Sequence, residues 1–420
     1  MTEPEGAPPP GGALRRRLGV GDAVVIGLGA MIGAGIFAAL APAAAAAGSG
    51  LLVALAVAGV VAYCNATSSA RLAARYPASG GTYVYGRERL GPFWGYLAGW
   101  GFIVGKTASC AAMALTVGTY AWPGQAHAVA VAAVVALTAV NYAGVQKSAL
   151  LTRVIVAVVL AVLAAVVVAC IASGSADPAR LDAGPDLTWG GVLQAAGLLF
   201  FAFAGYARIA TLGEEVRDPR RTIPRAIPIA LGITLAVYAC VAVAVLTVLG
   251  PRQLAQAAAP LSDAVRAADA GGLAPVVRAG AAVAALGSLL SLILGVSRTT
   301  LAMARDRHLP HALAAVHPRS HVPHRAELAV GAVVAVLAAT ADVREAIGFS
   351  SFGVLAYYAI ANASAWTLTP AEGRPARPVP VLGLAGCLAL AFALPVASVA
   401  WGATVLAVGA TAYGIRRTRS

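Results

Sequence analysis

The sequence is poor in charge. Only 11% of its 420 residues are Asp, Glu, Lys or Arg, against about 25% in soluble domains. With 60% apolar residues, that scarcity excludes a soluble domain or a single-span protein and identifies a polytopic membrane protein. Cysteine is sparse too. Cys64, Cys110, Cys170, Cys240 and Cys387 stand alone in apolar stretches, with neither metal-ligand spacing nor a disulfide framework. No P-loop is present, which argues against ATP-driven transport by this chain. The apolar segments hold no pair of carboxylates and no histidine cluster, so a membrane-embedded enzyme lacks its acid–base or metal machinery. His308, His311, His317, His321 and His324 share one basic, proline-containing loop but lack the close grouping of a metal site. No cofactor and no metal is expected. The net charge of +13 is dispersed over short loops rather than gathered on one face, so nucleic acid is not an expected partner. Residues 1–20 are Pro/Gly-rich and end in Arg15-Arg16-Arg17, and the apolar run after them is too long for a signal core. A disordered cytoplasmic tail is expected there.

What is abundant is apolar sequence in lengths that suit a bilayer, about twenty residues each. Twelve spans are expected: 21–45, 48–72, 91–119, 125–143, 150–174, 190–213, 224–249, 275–302, 327–341, 346–369, 379–395 and 397–415. Pro224 suits the start of the seventh, where a missing N–H costs nothing. The ninth and eleventh are short. With the N-terminus in the cytoplasm, inner segments hold 23 of the Lys and Arg residues and outer segments hold 5. That asymmetry predicts an even number of spans with both termini cytoplasmic. Lys106 and Arg208 are left inside the membrane.

The first span carries Gly27-Leu-Gly-Ala-Met-Ile-Gly-Ala-Gly-Ile-Phe37. Each glycine costs a helix about 1 kcal/mol relative to alanine, and a helix interrupted in the membrane frees backbone groups that can hold a small charged solute. Close packing through small residues is the competing reading. The sixth span reads Gly197-Leu-Leu-Phe-Phe-Ala-Phe-Ala-Gly-Tyr-Ala-Arg208, with Gly205 and a charge near its middle. Five spans separate the two, and an odd-numbered half places its second copy upside down. Two interrupted helices in matching positions predict an inverted-repeat transporter. The expected divisions are a tail over 1–20, a first five-helix repeat over 21–174, a second, inverted one over 190–369, and two peripheral helices with the C-terminal tail over 370–420.

Four motifs then carry a resemblance. They are Gly27–Phe37; Tyr76-Pro-Ala-Ser-Gly-Gly-Thr-Tyr-Val-Tyr85 with Leu90-Gly91 and Gly99-Trp100; Phe200-Phe-Ala-Phe-Ala-Gly-Tyr206 with Gly213-Glu-Glu-Val-Arg-Asp-Pro-Arg-Arg-Thr-Ile-Pro-Arg-Ala226; and Ser297-Arg298 through Ala304-Arg-Asp-Arg-His-Leu-Pro310. In this order, over about residues 20–370, the chain resembles the amino acid–polyamine–organocation superfamily of secondary transporters. The resemblance implies an all-α membrane protein with the leucine-transporter-type five-plus-five inverted repeat, broken first and sixth helices, and uptake or exchange of amino acids or related amines. The setting it implies is the inner membrane of a bacterium.

On that frame, amides at Met31, Ile32, Gly33, Ala34, Gly35 and Ile36 suit a substrate carboxylate at a helix N-terminus. Carbonyls near Ile26–Ala30 and Phe201–Ala204, beside Gly205, suit its ammonium. Phe201 or Phe203 could lie over the solute as a lid. Lys106, far from either end of its span, is a functional hypothesis by default. Desolvation disfavours its charged form, so it could carry the coupled proton. Some relatives place such a lysine on helix five, where this chain has only apolar residues around Val156–Leu160. Arg208 stays charged; it could bind a substrate carboxylate or pair with Glu215. Some relatives have an acidic residue at the place of Ala207. Its absence, with two cations in the membrane, points to neutral or acidic substrates rather than arginine or polyamines. Gly27 and Ile32 with Ser288 and Ser291 form a candidate sodium site, less expected than protons, because serines in a helix more often bond their own backbone. Glu214, Glu215 and Asp218 among Arg217, Arg220, Arg221 and Arg225 read as an ion-paired cytoplasmic cap, with gating as the alternative. The runner-up functions are a non-transporting sensor or structural subunit on this fold and, less expected, a membrane-embedded enzyme.

Overall fold

The computed structural model describes residues 18–76, 80–144, 149–182, 187–210, 216–318 and 322–418. Apart from one bridge between Leu18 and Val216, the described residues are helices and short connections. The first half contains α1 (Val20–Met31), α2 (Ala34–Ala38), α3 (Leu40–Ala47), α4 (Leu51–Arg75), α5 (Thr82–Leu90), α6 (Pro92–Ala121), α7 (Ala126–Tyr142) and α8 (Ala149–Ala172). The second contains α9 (Trp189–Phe203), α10 (Ala207–Ala210), α11 (Pro219–Gln256), α12 (Pro260–Ala267), α13 (Ala274–Arg305), α14 (His324–Thr340), α15 (Val343–Trp366), α16 (Pro378–Ala393) and α17 (Val396–Arg417).

Ten helical segments among the described residues are long and apolar enough to cross a membrane. The stretches expected as ninth and eleventh spans fall below that length. They form α14, of 17 residues, and α16, of 16. At 1.5 Å per residue, 17 residues reach about 25 Å, short of a hydrocarbon layer of about 30 Å. His324, Arg325 and Glu327 also make the first turn of α14 polar. The helix expected from Pro224 starts earlier, at Pro219, which takes the N-terminal position where its ring costs nothing. Pro224 and Pro228 lie inside it, and Gly250, at φ 69°, bends its far end. Asp218 and Arg221 approach to 3.6 Å at that start, while Glu214 and Glu215 lie outside the described residues.

Small residues set the central packing. α6 and α15 meet where a Cβ on Gly105 would lie 3.2 Å from the Gly353 backbone, and the Ser109 and Ser350 hydroxyls sit 2.5 Å apart one turn on. In lipid, close backbone approach of this kind replaces hydrophobic burial as the main source of helix association.

The two ends of the bundle are finished differently. At one end, arginines cap helix C-termini, where carbonyls lack partners and the helix dipole favours cations. Arg278 donates to the carbonyls of Tyr120 (2.6 Å) and Ala121 (3.1 Å), and Arg180 to those of Thr247 (3.0 Å) and Val248. At the other, ionised side chains tie the short α5 to its neighbours. Asp306 accepts from Tyr83 and Arg87, and Tyr83 contacts His308 Nδ1 at 3.0 Å. Glu372 accepts from Arg89 and Arg75, whose guanidiniums lie over the Tyr76 ring. Arg89, the Thr369 backbone amide and Arg75 together hold the Glu372 carboxyl down to about 2. Burial pushes the His308 imidazole below its ordinary value.

The contrast between two glycines tests this packing. A Cβ on Gly205 would lie 2.3 Å from the Ala30 carbonyl oxygen, whereas one on Gly232 meets nothing within 4 Å. Gly205→Ala is expected to destabilise the purified protein by about 1–3 kcal/mol through overpacking against backbone. Gly232→Ala is expected to be neutral or to stabilise by up to about 1 kcal/mol. Thermal unfolding in detergent reads both; equal midpoints for the two variants would contradict the close contact.

Candidate functional site

Helix α1 ends at Met31 because the chain turns at Ile32 (φ −79°, ψ 61°) and Gly33 (φ −115°, ψ −137°) before α2 begins. The Gly33 amide reaches back to Met31 O at 2.8 Å, not to Gly29 O as a continuing helix would require. In the sixth span the interruption is milder. α9 tightens at Ala204–Tyr206 into a 3₁₀ turn before α10, so the chain there narrows rather than opens. The two interruptions touch: Gly205 lies against Ala30, Gly35 against Ala202, and Gly27 against Ile209. Glycine is required at Gly35 and Gly205 because a Cβ would fall within 2.6 Å of facing backbone atoms; at Gly27 the near atoms belong to the Ile209 side chain.

Carbonyls released at the breaks are met by side chains from other helices. Ser288 Oγ on α13 donates to Gly29 O at 3.3 Å. Tyr238 Oη on α11 donates to Met31 O at 2.6 Å and lies 3.1 Å from Ala202 O, so one hydroxyl serves both breaks. Lys106 Nζ on α6 donates to Ala204 O at 3.2 Å and is buried, 6% exposed. An unmet carbonyl buried away from water costs about 1–3 kcal/mol, so these contacts are what allow the interruptions to persist.

A chamber of about 180 Å³ lies beside them. At about 30 Å³ of liquid per water, it has room for roughly six waters or one small solute. Its walls are Ala30, Phe102, Lys106, Ser109, Met113, Phe201, Ala204, Gly205, Ala207 and Arg208, with Ser288, Ser291, Leu292 and Gly295 from α13 and Tyr357 from α15. It extends to Gly80, Arg298, Thr299 and Ala302. Among the described lining residues three side chains are cations, Lys106, Arg208 and Arg298, and none is a carboxylate.

Of the residues expected at a substrate site, Ala30, Phe201, Ala204, Gly205 and Arg208 line the chamber, as does Lys106. Met31, Ile32, Gly33, Ala34 and Gly35 form the turn and the start of α2, buried behind that wall. Ile26 sits inside the regular part of α1, where its carbonyl is not released. Phe203 points elsewhere: it is fully buried with its ring 5.2 Å from Tyr238, leaving Phe201 as the aromatic at the chamber. Of the candidate sodium site, Ser288 and Ser291 line the chamber, their hydroxyls donating to Gly29 O (3.3 Å) and Gly287 O (3.1 Å), and a Cβ on Gly27 would face Ile209 and Ala230. Glu215, the alternative partner of Arg208, lies outside the described residues. No group of three or more His, Cys, Asp or Glu able to hold a metal occurs among the described residues; His317 and His324 instead pack ring to ring with Tyr142. Sequence reasoning missed Tyr238, Tyr357 and the chamber-facing role of Arg298. A lone tyrosine in the apolar run of α11 was the available signal for Tyr238.

Comparison with known proteins agrees with this architecture. Residues 22–379 match a family model described as amino acid permease. An uncharacterized transporter of Mycobacterium bovis is 80% identical over 96% of this chain and 92% of its own length. A branched-chain amino acid permease of Bacillus subtilis is 26% identical over 83% of this chain and 80% of its own. Cationic amino acid transporter 4 of Homo sapiens is 29% identical over 82% of this chain and 58% of its own.

Removing the shared hydroxyl isolates its contribution. Tyr238→Phe is expected to lower the thermal midpoint, at about 1 kcal/mol, because Ala202 O loses this donor and Met31 O keeps the Gly33 amide alone. Tyr63→Phe, at a 51% exposed site, serves as the control. A Tyr238→Phe midpoint equal to that of the control would show that the hydroxyl does not hold the breaks.

Proposed function

Because the chain belongs to the amino acid permease family, we propose that it is a secondary transporter that carries a neutral or acidic amino acid, or a related carboxylate, across the cytoplasmic membrane by proton-coupled symport or exchange. The frame is a five-plus-five inverted repeat followed by two peripheral spans, twelve in all, with α14 and α16 as the two short ones and both termini cytoplasmic. Alternating access around the two interrupted helices moves the solute.

The observation that carries the substrate class is the charge of the chamber: three cations and no carboxylate among its described lining residues. A substrate carboxylate gains from Lys106 and Arg208, while a second positive charge on the solute is repelled at short range in a low dielectric. This is why the cationic substrates named for some relatives are not carried over. The volume supports a single amino-acid-sized solute, and Phe201 supplies an apolar face for its side chain. Lys106 is the proton carrier in this reading. Its hydrogen bond to Ala204 O joins its protonation state to the interruption of the sixth span. The deprotonated amine keeps N–H donors but loses the charge that strengthens this contact. In this orientation the chamber extends toward the cytoplasm, because Gly80, Arg298 and Ala302 belong to the basic, inner ends of their helices.

Counterflow in proteoliposomes with a labelled amino-acid panel and an imposed pH gradient tests the proposal. Neutral or acidic amino acids should accumulate in response to the gradient, and arginine should not compete; competition by arginine alone would reverse the substrate assignment. Lys106→Ala should fold but lose the response to the pH gradient, and an unchanged response would remove lysine as the proton carrier. Arg208→Ala should alter the order of preference within the panel; an identical uptake profile would show that Arg208 does not contact substrate. Binding without counterflow would favour a sensor on the same fold.

A further inference from the structure

Glu327 has no part in the chamber described above. It lies in the first turn of α14 with no exposed surface, and among the described residues neither carboxylate oxygen has a hydrogen-bond partner. The packing around it is tight: one turn on, a Cβ at Gly331 would lie 2.6 Å from Thr138 Oγ1 of α7. Burying an ionised carboxylate without a partner costs several kcal/mol, so the neutral form suits this arrangement. α13 packs against α14 and carries Arg298, which is exposed and lines the chamber. Among the described residues Glu327 and Arg298 form no ion pair; the guanidinium stands at the chamber instead.

Other titratable or charged groups on the surrounding elements have other engagements or positions. Lys106 of α6 is bonded to Ala204 O. Cys110 of α6 is part of the apolar cluster with Val330 and Val334. Tyr142 of α7, His317 and His324 pack ring to ring. Arg305 ends α13, His311 opens the 3₁₀ turn after it, and Arg325 precedes Glu327 on α14.

We propose that Glu327 is a proton-binding site that positions Arg298 at the mouth of the chamber, so that capture of a carboxylate-bearing solute there depends on pH. When Glu327 holds a proton, it offers Arg298 no counter-charge, and the guanidinium faces the chamber. When the proton leaves to water, the carboxylate draws Arg298 toward α14 and away from the solute. The arginine keeps its own proton throughout. Glu327 is a positioning residue: it acts through Arg298 and does not touch the solute. The inference rests on the transport reading for its second half, the capture of a carboxylate, but not for its first, the proton on Glu327.

Two measurements on the full chain in liposomes separate these halves. Infrared difference spectra at neutral pH, where ordinary carboxyls are ionised, should contain a protonated-carboxyl band that Glu327→Gln lacks. Absence of that band from the wild type, or its persistence in the variant, would overturn the proposal. Exchange of labelled glutamate and of labelled leucine is then followed with equal pH on both sides. The half-saturating concentration should rise about fivefold or more from mildly acidic to mildly alkaline pH, with little change in maximal rate. Glu327→Gln should keep the low value at every pH. Arg298→Gln, at an exposed position, should keep the high value at every pH; a wild-type pH profile in either variant would contradict the mechanism. No exchange of either solute by the wild type would count against the transport reading, while the infrared band would still decide the state of Glu327.

Discussion

Inside a bilayer a backbone carbonyl has no water to turn to. The structure depends on how that constraint is met at Gly29, Met31, Ala202 and Ala204. The turn at Ile32–Gly33 and the 3₁₀ narrowing at Ala204–Tyr206 release these acceptors at nearly the same place. Side chains from four other helices, Ser288, Tyr238, Lys106 and Tyr358, converge to donate to them. The site is therefore assembled from long-range contacts around two local defects. The glycines have a double role. They weaken the helix locally, and at Gly27, Gly35 and Gly205 they let one interrupted helix press against the other.

The electrostatics follow from the same arrangement. Lys106 is tolerated in an apolar bundle because a carbonyl aims at it, and that carbonyl is available because the sixth span narrows there. Placing Arg208 and Arg298 on the same cavity makes the chamber a cationic space among buried apolar walls. Elsewhere the chain uses arginine differently. Arg180 and Arg278 cap helix ends with ordinary carbonyl contacts, and Arg75 and Arg89 share Glu372 at the opposite face. Arg208 and Arg298 line the chamber instead.

Much of this was legible in the sequence. Long apolar runs predicted the helices, and four glycines between Gly27 and Gly35 predicted the interruption at Ile32–Gly33. A lone lysine in an apolar segment pointed to Lys106, which the fold brings to the chamber. What was not legible depends on which residues meet in space. Phe201 and Phe203 are two apart and indistinguishable by composition, yet one lines the chamber and the other packs on Tyr238. Glycine at 205 suggested an opened helix, but the observed tightening keeps most of the backbone bonded. Pro224 looked like a helix start because the earlier Pro219 follows a charged, turn-like stretch. The shortness of α14 and α16 was legible in the ninth and eleventh apolar runs. Tyr238 and Glu327 gave little warning because their importance comes from partners, or the lack of them, on other helices.

The central claim is that the two interrupted helices border a chamber that holds a small carboxylate solute. Cysteine at Ser291 offers the most direct test, because that residue lines the chamber and the five native cysteines can be replaced by alanine first. Ser291→Cys should react with a small, water-soluble, charged thiol reagent added to the side where Arg298 lies. A saturating transported amino acid should slow that reaction. A thiol that never reacts, or one that reacts equally fast with and without the amino acid, would contradict the account.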